Sequence, residues 1–148
     1  MRTIRLQINE SNAFDEVEIV INCPAIDEQL AQIIEWIRQT QVVLAGKKGG
    51  SIYSLTAHAL YYMESVDNQT FLYDEQDVYE TDLKLYELEE KLQDTPFIRI
   101  SKHLIVNTLV VDHVRALFNG RFEATLTNGE KVIVNRHYAK AFKEKFSK

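Results

Sequence analysis

The sequence predicts a mainly β fold with short helices, of the α+β class. Short apolar or alternating runs recur between turn residues through most of the chain, and only three segments show helical periodicity. Two Asn-Gly pairs near the C-terminus each separate alternating runs, which is a strong hairpin signal. With 148 residues, 45% hydrophobic composition and only two prolines, the chain can bury a core of its own.

The first 46 residues predict a small strand-strand-helix-strand module. Residues 3–9 and 17–23 alternate or run apolar and are predicted strands. A helix is predicted over about residues 25–40, and its apolar stripe consists of Leu30, Ile33, Ile34 and Ile37. Residues 42–45 are a candidate strand. The glycine-rich stretch 46–50 predicts a flexible linker that ends the module.

Short strands and one helix are predicted between Gly50 and the last third of the chain. The predicted strands are residues 51–55, 60–64, 70–73 and 77–81, with a turn at Asp67-Asn68. The helix is predicted over about residues 82–93, and Pro96 ends it. A strand at 97–100 and an apolar run at 104–106 follow.

The last third carries the clearest signals. The turns at Asn119-Gly120 and Asn128-Gly129 predict a three-stranded antiparallel meander over residues 114–134. A final helix is predicted over residues 136–146, with Asn135 as its N-cap. Its apolar stripe is Tyr138, Ala141, Phe142 and Phe146. Another face carries Arg136, Lys140 and Lys143.

No pattern in the sequence supports an enzyme. The four histidines lack metal-ligand spacing, the glycine-rich stretch lacks the phosphate-loop pattern, and Cys23 is the single cysteine. We therefore expect no catalytic residue, no metal site and no cofactor. No apolar run approaches the about 18 residues of a membrane span, and no signal peptide is visible, so the sequence predicts a cytoplasmic protein.

Charge is distributed unevenly along the chain. Residues 1–95 hold 7 Lys or Arg and 18 Asp or Glu, a net charge of −11. Residues 96–148 hold 10 and 4, a net charge of +6. A basic end on an acidic chain is typical of a polyanion-binding surface, although ordinary variation of surface charge gives the same pattern.

Two basic clusters in the last third are candidates for contact with nucleic acid. One predicted loop offers Arg99, Ser101, Lys102 and His103, and the first turns of the last helix offer Arg136, His137 and Lys140. A helix N-terminus also presents free N–H groups to a phosphate. Taken singly, Lys102 is better explained as a solvated surface lysine and Arg136 as a salt-bridged surface arginine. The two clusters together favour contact with nucleic acid modestly.

Four blocks of the sequence resemble the LytTR DNA-binding domain of bacterial transcription regulators. Residues 97–107 (FIRISKHLIVN) and 126–138 (LTNGEKVIVNRHY) resemble its two signature blocks. Residues 60–65 (LYYMES) resemble one of its strands, and 85–92 resemble its helix. The resemblance covers about residues 48–147. It implies elongated antiparallel β-sheets whose edge loops enter successive major grooves of duplex DNA.

The resemblance implies a set of DNA-binding residues. They are Asn68, Gln69 and Thr70 in the first loop, Ser101 and Lys102 in the second, and Arg136 and His137 in the third. Arg99, Lys140 and Lys143 are predicted to dock on phosphates. The family often has arginine where this chain has Lys102, and lysine lacks the planar fork of arginine. Ser101, His103 and Asn135 also depart from the common pattern. Asn135 can still cap the helix, whereas the changes at Ser101 and His103 leave the base preference open.

The sequence as a whole predicts a sequence-specific regulator that binds duplex DNA, as a homodimer on direct repeats. Residues 47–148 would bind DNA, and 1–46 would serve dimerisation or regulation, with Trp36 as a candidate dimer contact. Only about 46 residues precede the resemblance, which is too few for a receiver domain and indicates the stand-alone type. Such regulators imply a small membrane protein as a restraining partner. The alternatives are a protein-interaction module whose scaffold does not bind DNA, and a small-molecule sensor.

Overall fold

A computed structural model describes residues 3–147 and shows a mainly β protein with three α-helices, as predicted. The helices are α1 (Glu28–Thr40), α2 (Leu85–Lys91) and α3 (Arg136–Phe146). The strands are β1 (Val43–Lys48), β2 (Ser51–Thr56), β3 (Tyr62–Val66), β4 (Gln69–Tyr73), β5 (Val78–Thr81), β6 (Phe97–Ser101), β7 (Leu104–Asn107), β8 (Val111–Ala116), β9 (Phe122–Leu126) and β10 (Lys131–Val134).

The strands form two antiparallel sheets. The larger sheet has the order β2-β1-β5-β4-β3-β7-β6, and the smaller has the order β10-β9-β8. The smaller sheet is the predicted meander. At its first turn, Asn119 and Gly120 have φ of 63° and 75°, the positive values that the Asn-Gly pair predicts.

Two hydrophobic clusters lie on opposite faces of the larger sheet. In the first cluster, Leu85, Leu88 and Leu92 from α2 and its end pack against Met63 and Ile105. In the second cluster, the smaller sheet and α3 meet the other face of β6 and β7. Its members include Ile100, Leu104, Val106, Ala124, Leu126, Val134, Ala139 and Phe142. Because β7 serves both clusters, all four of its residues are buried, which explains its continuous apolar run.

The glycine-rich stretch is a strand end and a tight turn, so its prediction as a flexible linker is wrong. Residues 46–48 belong to β1, which pairs with β2. Gly49 and Gly50 have φ of 57° and 82°, values that a hairpin turn requires and glycine adopts without strain. A Cβ on Gly46 would lie 2.6 Å from Leu55 Cδ1, so close packing also requires glycine there. The division at residue 46 passes through β1, and a separate role for 1–46 stays a prediction.

The two strands predicted near the N-terminus are absent. Residues 3–27 contain no helix or strand, and the segments 3–9 and 17–23 pair with neither sheet. A strand needs a neighbour for its N–H and C=O groups, and the described chain supplies none to these segments. The predicted strand-strand-helix-strand module therefore reduces to α1, with β1 built into the larger sheet.

Helices α1 and α2 begin later than predicted, whereas α3 has the predicted bounds, and the buried faces of the helices differ in detail. Asp27 caps α1 through a 2.8 Å bond from Leu30 N–H, so the helix starts at residue 28. Trp36 is half exposed and its ring lies 5.3 Å from that of His58. In α3, Ala139 rather than the predicted Ala141 is buried beside Phe142.

Candidate nucleic-acid interface

Three segments that are distant in sequence meet at one edge of the two sheets. Because β3 pairs with β7, the β3–β4 and β6–β7 turns lie side by side, and Ser65 N–H donates to His103 C=O over 2.9 Å. The start of α3 joins the same edge, since Asn135 N–H donates to Ile100 C=O over 2.9 Å. The fold thus brings together the three loops that the sequence predicted.

The first loop is a tight turn at Asp67-Asn68. Both residues have positive φ, 50° and 65°, which suits a two-residue hairpin turn. Asn68 and Gln69 are exposed at the tip. Thr70 is only 3% exposed and lies in β4 between Ser65 and Thr81. Its side chain therefore does not reach the surface on which its predicted DNA contact depends.

The second loop is the β6–β7 turn, and Arg99 holds its backbone. The Arg99 guanidinium donates to Ser101 C=O over 2.9 Å and to Lys102 C=O over 2.6 Å. Its remaining nitrogen lies 3.0 Å from a carboxylate oxygen of Glu89 on α2. With a side chain only 18% exposed, Arg99 shapes the turn and is poorly placed to dock on a phosphate.

Lys102 lies at the tip of this turn and is exposed. Ser101 Oγ accepts from His103 N–H over 3.1 Å, which fixes the turn beneath the lysine. Among the described residues, no ion pair is found for the Lys102 ammonium. The turn therefore presents a cation outward from a backbone that Arg99 and Ser101 hold in place.

The third set of residues begins α3. Asn135 occupies the N-cap position, although its side chain makes no capping bond. Arg136 and His137 are exposed. The stem of Arg136 lies across the β8–β9 turn, because a Cβ built on Gly120 would be 3.0 Å from Arg136 Cγ. The first-turn N–H groups of α3 and the Arg136 guanidinium share this corner of the edge.

Lys140 and Lys143 continue the exposed face of α3 away from the edge. Lys143 Nζ lies 5.4 Å from the ring centroid of Phe122, a cation–π contact. At 1.5 Å rise per residue, Lys143 is about 10 Å along the helix from Arg136. The two lysines thus suit flanking phosphates better than bases.

The structure adds Lys84 and Arg121, which the sequence analysis missed. Lys84 is the N-cap residue of α2, and its Nζ donates to Asn68 C=O over 3.2 Å. A shallow groove between the first two loops is lined by Ser65, Asn68, Lys84, Leu85, Tyr86, Arg99 and Lys102. Arg121 is exposed beside Gly120. The sequence signal for Lys84 is a lysine at the N-cap of α2, a position at which helices prefer Ser, Asp or Asn.

A stacked tyrosine pair lies on the larger sheet, and one member, Tyr62, also bonds to the β9–β10 turn of the smaller sheet. The rings of Tyr62 and Tyr73 stack with centroids 4.3 Å apart. Tyr62 donates to Glu130 over 2.7 Å and Tyr73 donates to Glu64 over 3.0 Å. Burial, and then the bond to Glu64, raises the pKa of Tyr73 to about 12. Burial and Glu130 raise the pKa of Tyr62 further, so both phenols stay protonated at neutral pH.

Residues 3–147 contain no group of three His, Cys, Asp or Glu side chains arranged to hold a metal ion. Within the same range, no helix has both the length and the apolar character to cross a membrane.

Comparison with known proteins identifies the family. The family model for the LytTr DNA-binding domain matches residues 50–147. The chain is 34% identical over 94 residues to the sensory transduction protein LytT of Enterococcus faecalis, covering 64% of this chain and 39% of that protein. It is 27% identical over 140 residues to the sensory transduction protein LytR of Staphylococcus haemolyticus, covering 95% of this chain and 53% of that protein. The chain thus spans about half the length, or less, of these relatives.

A solved structure described as the LytTr DNA-binding domain of a Bacillus cereus response regulator has the same fold. It superposes with a TM-score of 0.67 over 72% of this chain and 97% of that chain, at 24% identity. The match of the family model covers both signature blocks, all three loops of the edge and α3. The chain therefore belongs to the LytTr DNA-binding domain family.

Proposed function

We propose that this protein is a transcription regulator that binds duplex DNA in a sequence-specific manner, with its edge loops in successive major grooves. One observation carries the proposal: three separate segments of a DNA-binding-domain fold converge on one edge and present Lys102 and Arg136 outward. Loops on a β scaffold can enter the major groove, where each base pair shows a distinct pattern of donors and acceptors.

Different residues of the edge would contact bases, contact phosphates or support the loops. Asn68, Gln69, Lys102 and His137 are exposed at loop tips or at the helix start and would reach base edges. Arg136, Lys140 and Lys143 would neutralise phosphates, as would Lys84 and Arg121. Thr70 and Arg99 would act from beneath, Thr70 as a sheet residue and Arg99 as the clamp of the β6–β7 turn.

The assembly and setting of the regulator are also proposals. We propose that two copies bind direct repeats and that the protein works in the cytoplasm. A small membrane protein as restraining partner stays a prediction that depends on the resemblance to stand-alone regulators.

The test is a titration of the full chain with duplex DNA from upstream of its own gene, against scrambled DNA, at several salt concentrations. Each neutralised phosphate contributes about −0.9 to the slope of log K against log salt concentration. Three to five phosphate contacts should therefore give a slope of about −2.7 to −4.5. The upstream DNA should bind at least about tenfold more tightly than scrambled DNA.

A charge-matched pair of variants locates the interface. Arg136→Ala should weaken binding and make the salt slope about one unit shallower. Arg38→Ala removes an exposed arginine from α1 that pairs with Glu35, and it should leave both quantities unchanged. Equal effects of the two substitutions would contradict an interface at this edge.

The rival proposal is a protein-interaction module whose scaffold does not bind DNA. It is favoured by the net charge of −11 on residues 1–95 and by the exposed apolar side chains near the N-terminus. No DNA binding even at low salt, with a partner protein bound through a salt-insensitive contact, would support it.

A further inference from the structure

The segment before α1 exposes an unusual number of large apolar side chains. Leu6 is 81% exposed and Val17 is 92% exposed. The set comprises Ile4, Leu6, Ile8, Phe14, Val17, Ile19, Val20, Ile21 and Ile26. An isolated exposed apolar residue is ordinary, but a contiguous set on a monomer marks an interaction surface.

The pattern of these residues defines the structure they can form. The chain turns midway between the two runs, where Phe14 N–H donates to Ser11 C=O and Ala13 N–H to Ser11 Oγ. Folded back antiparallel with Ile8 opposite Val17, the runs also place Leu6 opposite Ile19 and Ile4 opposite Ile21. All six apolar side chains then share one face, and the other face carries Arg5, Gln7, Glu18 and one apolar residue, Val20.

Such a two-stranded ribbon cannot stand alone in water. An isolated hairpin is marginal, and independent stability takes three or more strands with a covered apolar face, or packing on a helix. In this structure α1 packs by its C-terminal end, where Gln39 is buried, whereas the large apolar side chains of residues 4–8 and 17–21 are 38–92% exposed. A second ribbon would supply both the missing strands and the missing cover.

The size of the apolar face suits a dimer of ordinary dimensions. A fully exposed aliphatic side chain carries about 60–120 Å² of apolar surface, so the six partly exposed residues carry about 400 Å². A standard interface takes about 800 Å² from each partner, and homodimer interfaces are about 65% apolar, or about 500 Å². The face of one ribbon is therefore close to what one partner contributes.

We propose that residues 4–21 form an amphipathic β-ribbon that pairs, through the face of Ile4, Leu6, Ile8, Val17, Ile19 and Ile21, with the same ribbon of a second copy. A self-complementary face generates a two-fold dimer. Residues 22–27 join the ribbon to α1 without regular secondary structure. The two-fold symmetry of the paired ribbons therefore need not extend to the two DNA-binding domains, which can still bind repeats in the same direction. This dimer does not depend on DNA binding, and each can be tested without the other.

The experiment measures the mass of the full chain by light scattering from about 1 μM to about 1 mM. The wild-type chain should pass from monomer to dimer in this range. Leu6→Lys places a charge in the apolar face and should raise the dimer dissociation constant at least about tenfold. Gln7→Lys adds the same charge to the opposite face and should change it less than about threefold.

Amide hydrogen exchange of residues 4–8 and 17–21 separates a second copy from other covers. Protection that rises with protein concentration and disappears in Leu6→Lys supports the ribbon dimer. Protection in a chain that remains monomeric would mean that the segment folds onto its own chain, for example along the open edge of β2, and would overturn the proposal. A monomer that remains unprotected at every concentration would overturn it as well.

Discussion

Residues 3–23 and the meander of β8, β9 and β10 carry the same sequence signal and have different structures. Both alternate apolar and polar residues about a turn. In the meander, Ala124 and Leu126 are buried in the same hydrophobic cluster as Phe142 of α3, and β9 pairs on both sides. In residues 3–23 the apolar side chains are exposed and no strand forms. Alternation thus specifies which face would be buried, whereas a strand also needs a neighbour and a cover.

The largest expected difference between the two regions is the loss of folding stability when one leucine in each is replaced by alanine. Leu126→Ala opens a cavity among buried residues and should lower the free energy of unfolding by about 2–5 kcal/mol. Leu6→Ala, in dilute solution where the chain is monomeric, should change it by less than about 0.5 kcal/mol. Urea unfolding followed by circular dichroism measures both. A loss of several kcal/mol in dilute Leu6→Ala would show that the chain itself buries this segment.

Arg99 tests whether support beneath the DNA-binding edge matters as much as contact at its surface. Arg99→Lys keeps the charge but loses the fork that holds Ser101 C=O and Lys102 C=O. We expect DNA affinity to fall by about 1.5–3 kcal/mol while the salt slope stays constant. Fluorescence anisotropy at several salt concentrations measures both quantities. A shallower slope with little loss of affinity would assign Arg99 to a phosphate instead.

Lys102 is the matching test of contact at the surface. Lys102→Ala should relax the preference at one base pair by about 1–3 kcal/mol and leave the fold intact, because the side chain is exposed. Competition among single-base variants of the bound site measures the preference. If the preference is retained and affinity falls equally for all sequences, Lys102 contacts a phosphate.

The smallest expected effect concerns the stacked pair of Tyr62 and Tyr73 on the larger sheet. Residues 3–23 contain no comparable pair of stacked rings among the described contacts. The pKa of Tyr73 is raised from 10.0 to about 12 in the folded protein, so its contribution to stability is complete below pH 10 and disappears as pH rises through 12. Tyr73→Phe should therefore reduce the alkaline loss of stability between pH 10 and pH 12. Thermal unfolding at each pH measures it, with Tyr86→Phe, at an exposed position on α2, as the control. An unchanged pH profile in Tyr73→Phe would remove this role.

Much of the fold could be predicted from the sequence because its signals are local. The Asn-Gly turns, Pro96 after α2 and the periodicity of α3 depend on neighbouring residues, and the meander and helices are found where they indicate. The glycine-rich stretch was misinterpreted because three glycines fit either a linker or a tight hairpin. The pairing of β1 with β2 across Gly49-Gly50 shows that the stretch is a hairpin, for which a Gly-Gly pair between two strand-like runs was the available signal.

The candidate site was predicted at the level of loops and less well at the level of side chains. The resemblance brought the right segments together, yet Thr70 proved buried and Arg99 proved bound to the turn below Lys102. Thr70 is buried by its pairing with the next strand, and Arg99 bonds both to Glu89 and to the nearby carbonyls of Ser101 and Lys102. The sequence pattern does not specify such side-chain contacts. Lys84 was missed for the same reason, since its bond to Asn68 C=O spans 16 residues.

Because β7 is buried on both faces, the two hydrophobic clusters share one strand and should unfold together. Ile105 belongs to one hydrophobic cluster, and Leu104 and Val106 belong to the other, so neither cluster can come apart without removing the support of its neighbour. The two sheets should accordingly open as one cooperative unit, with β7 amides exchanging only through global unfolding. A ligand held at the DNA-binding edge would then slow exchange across the whole unit rather than near its contacts alone.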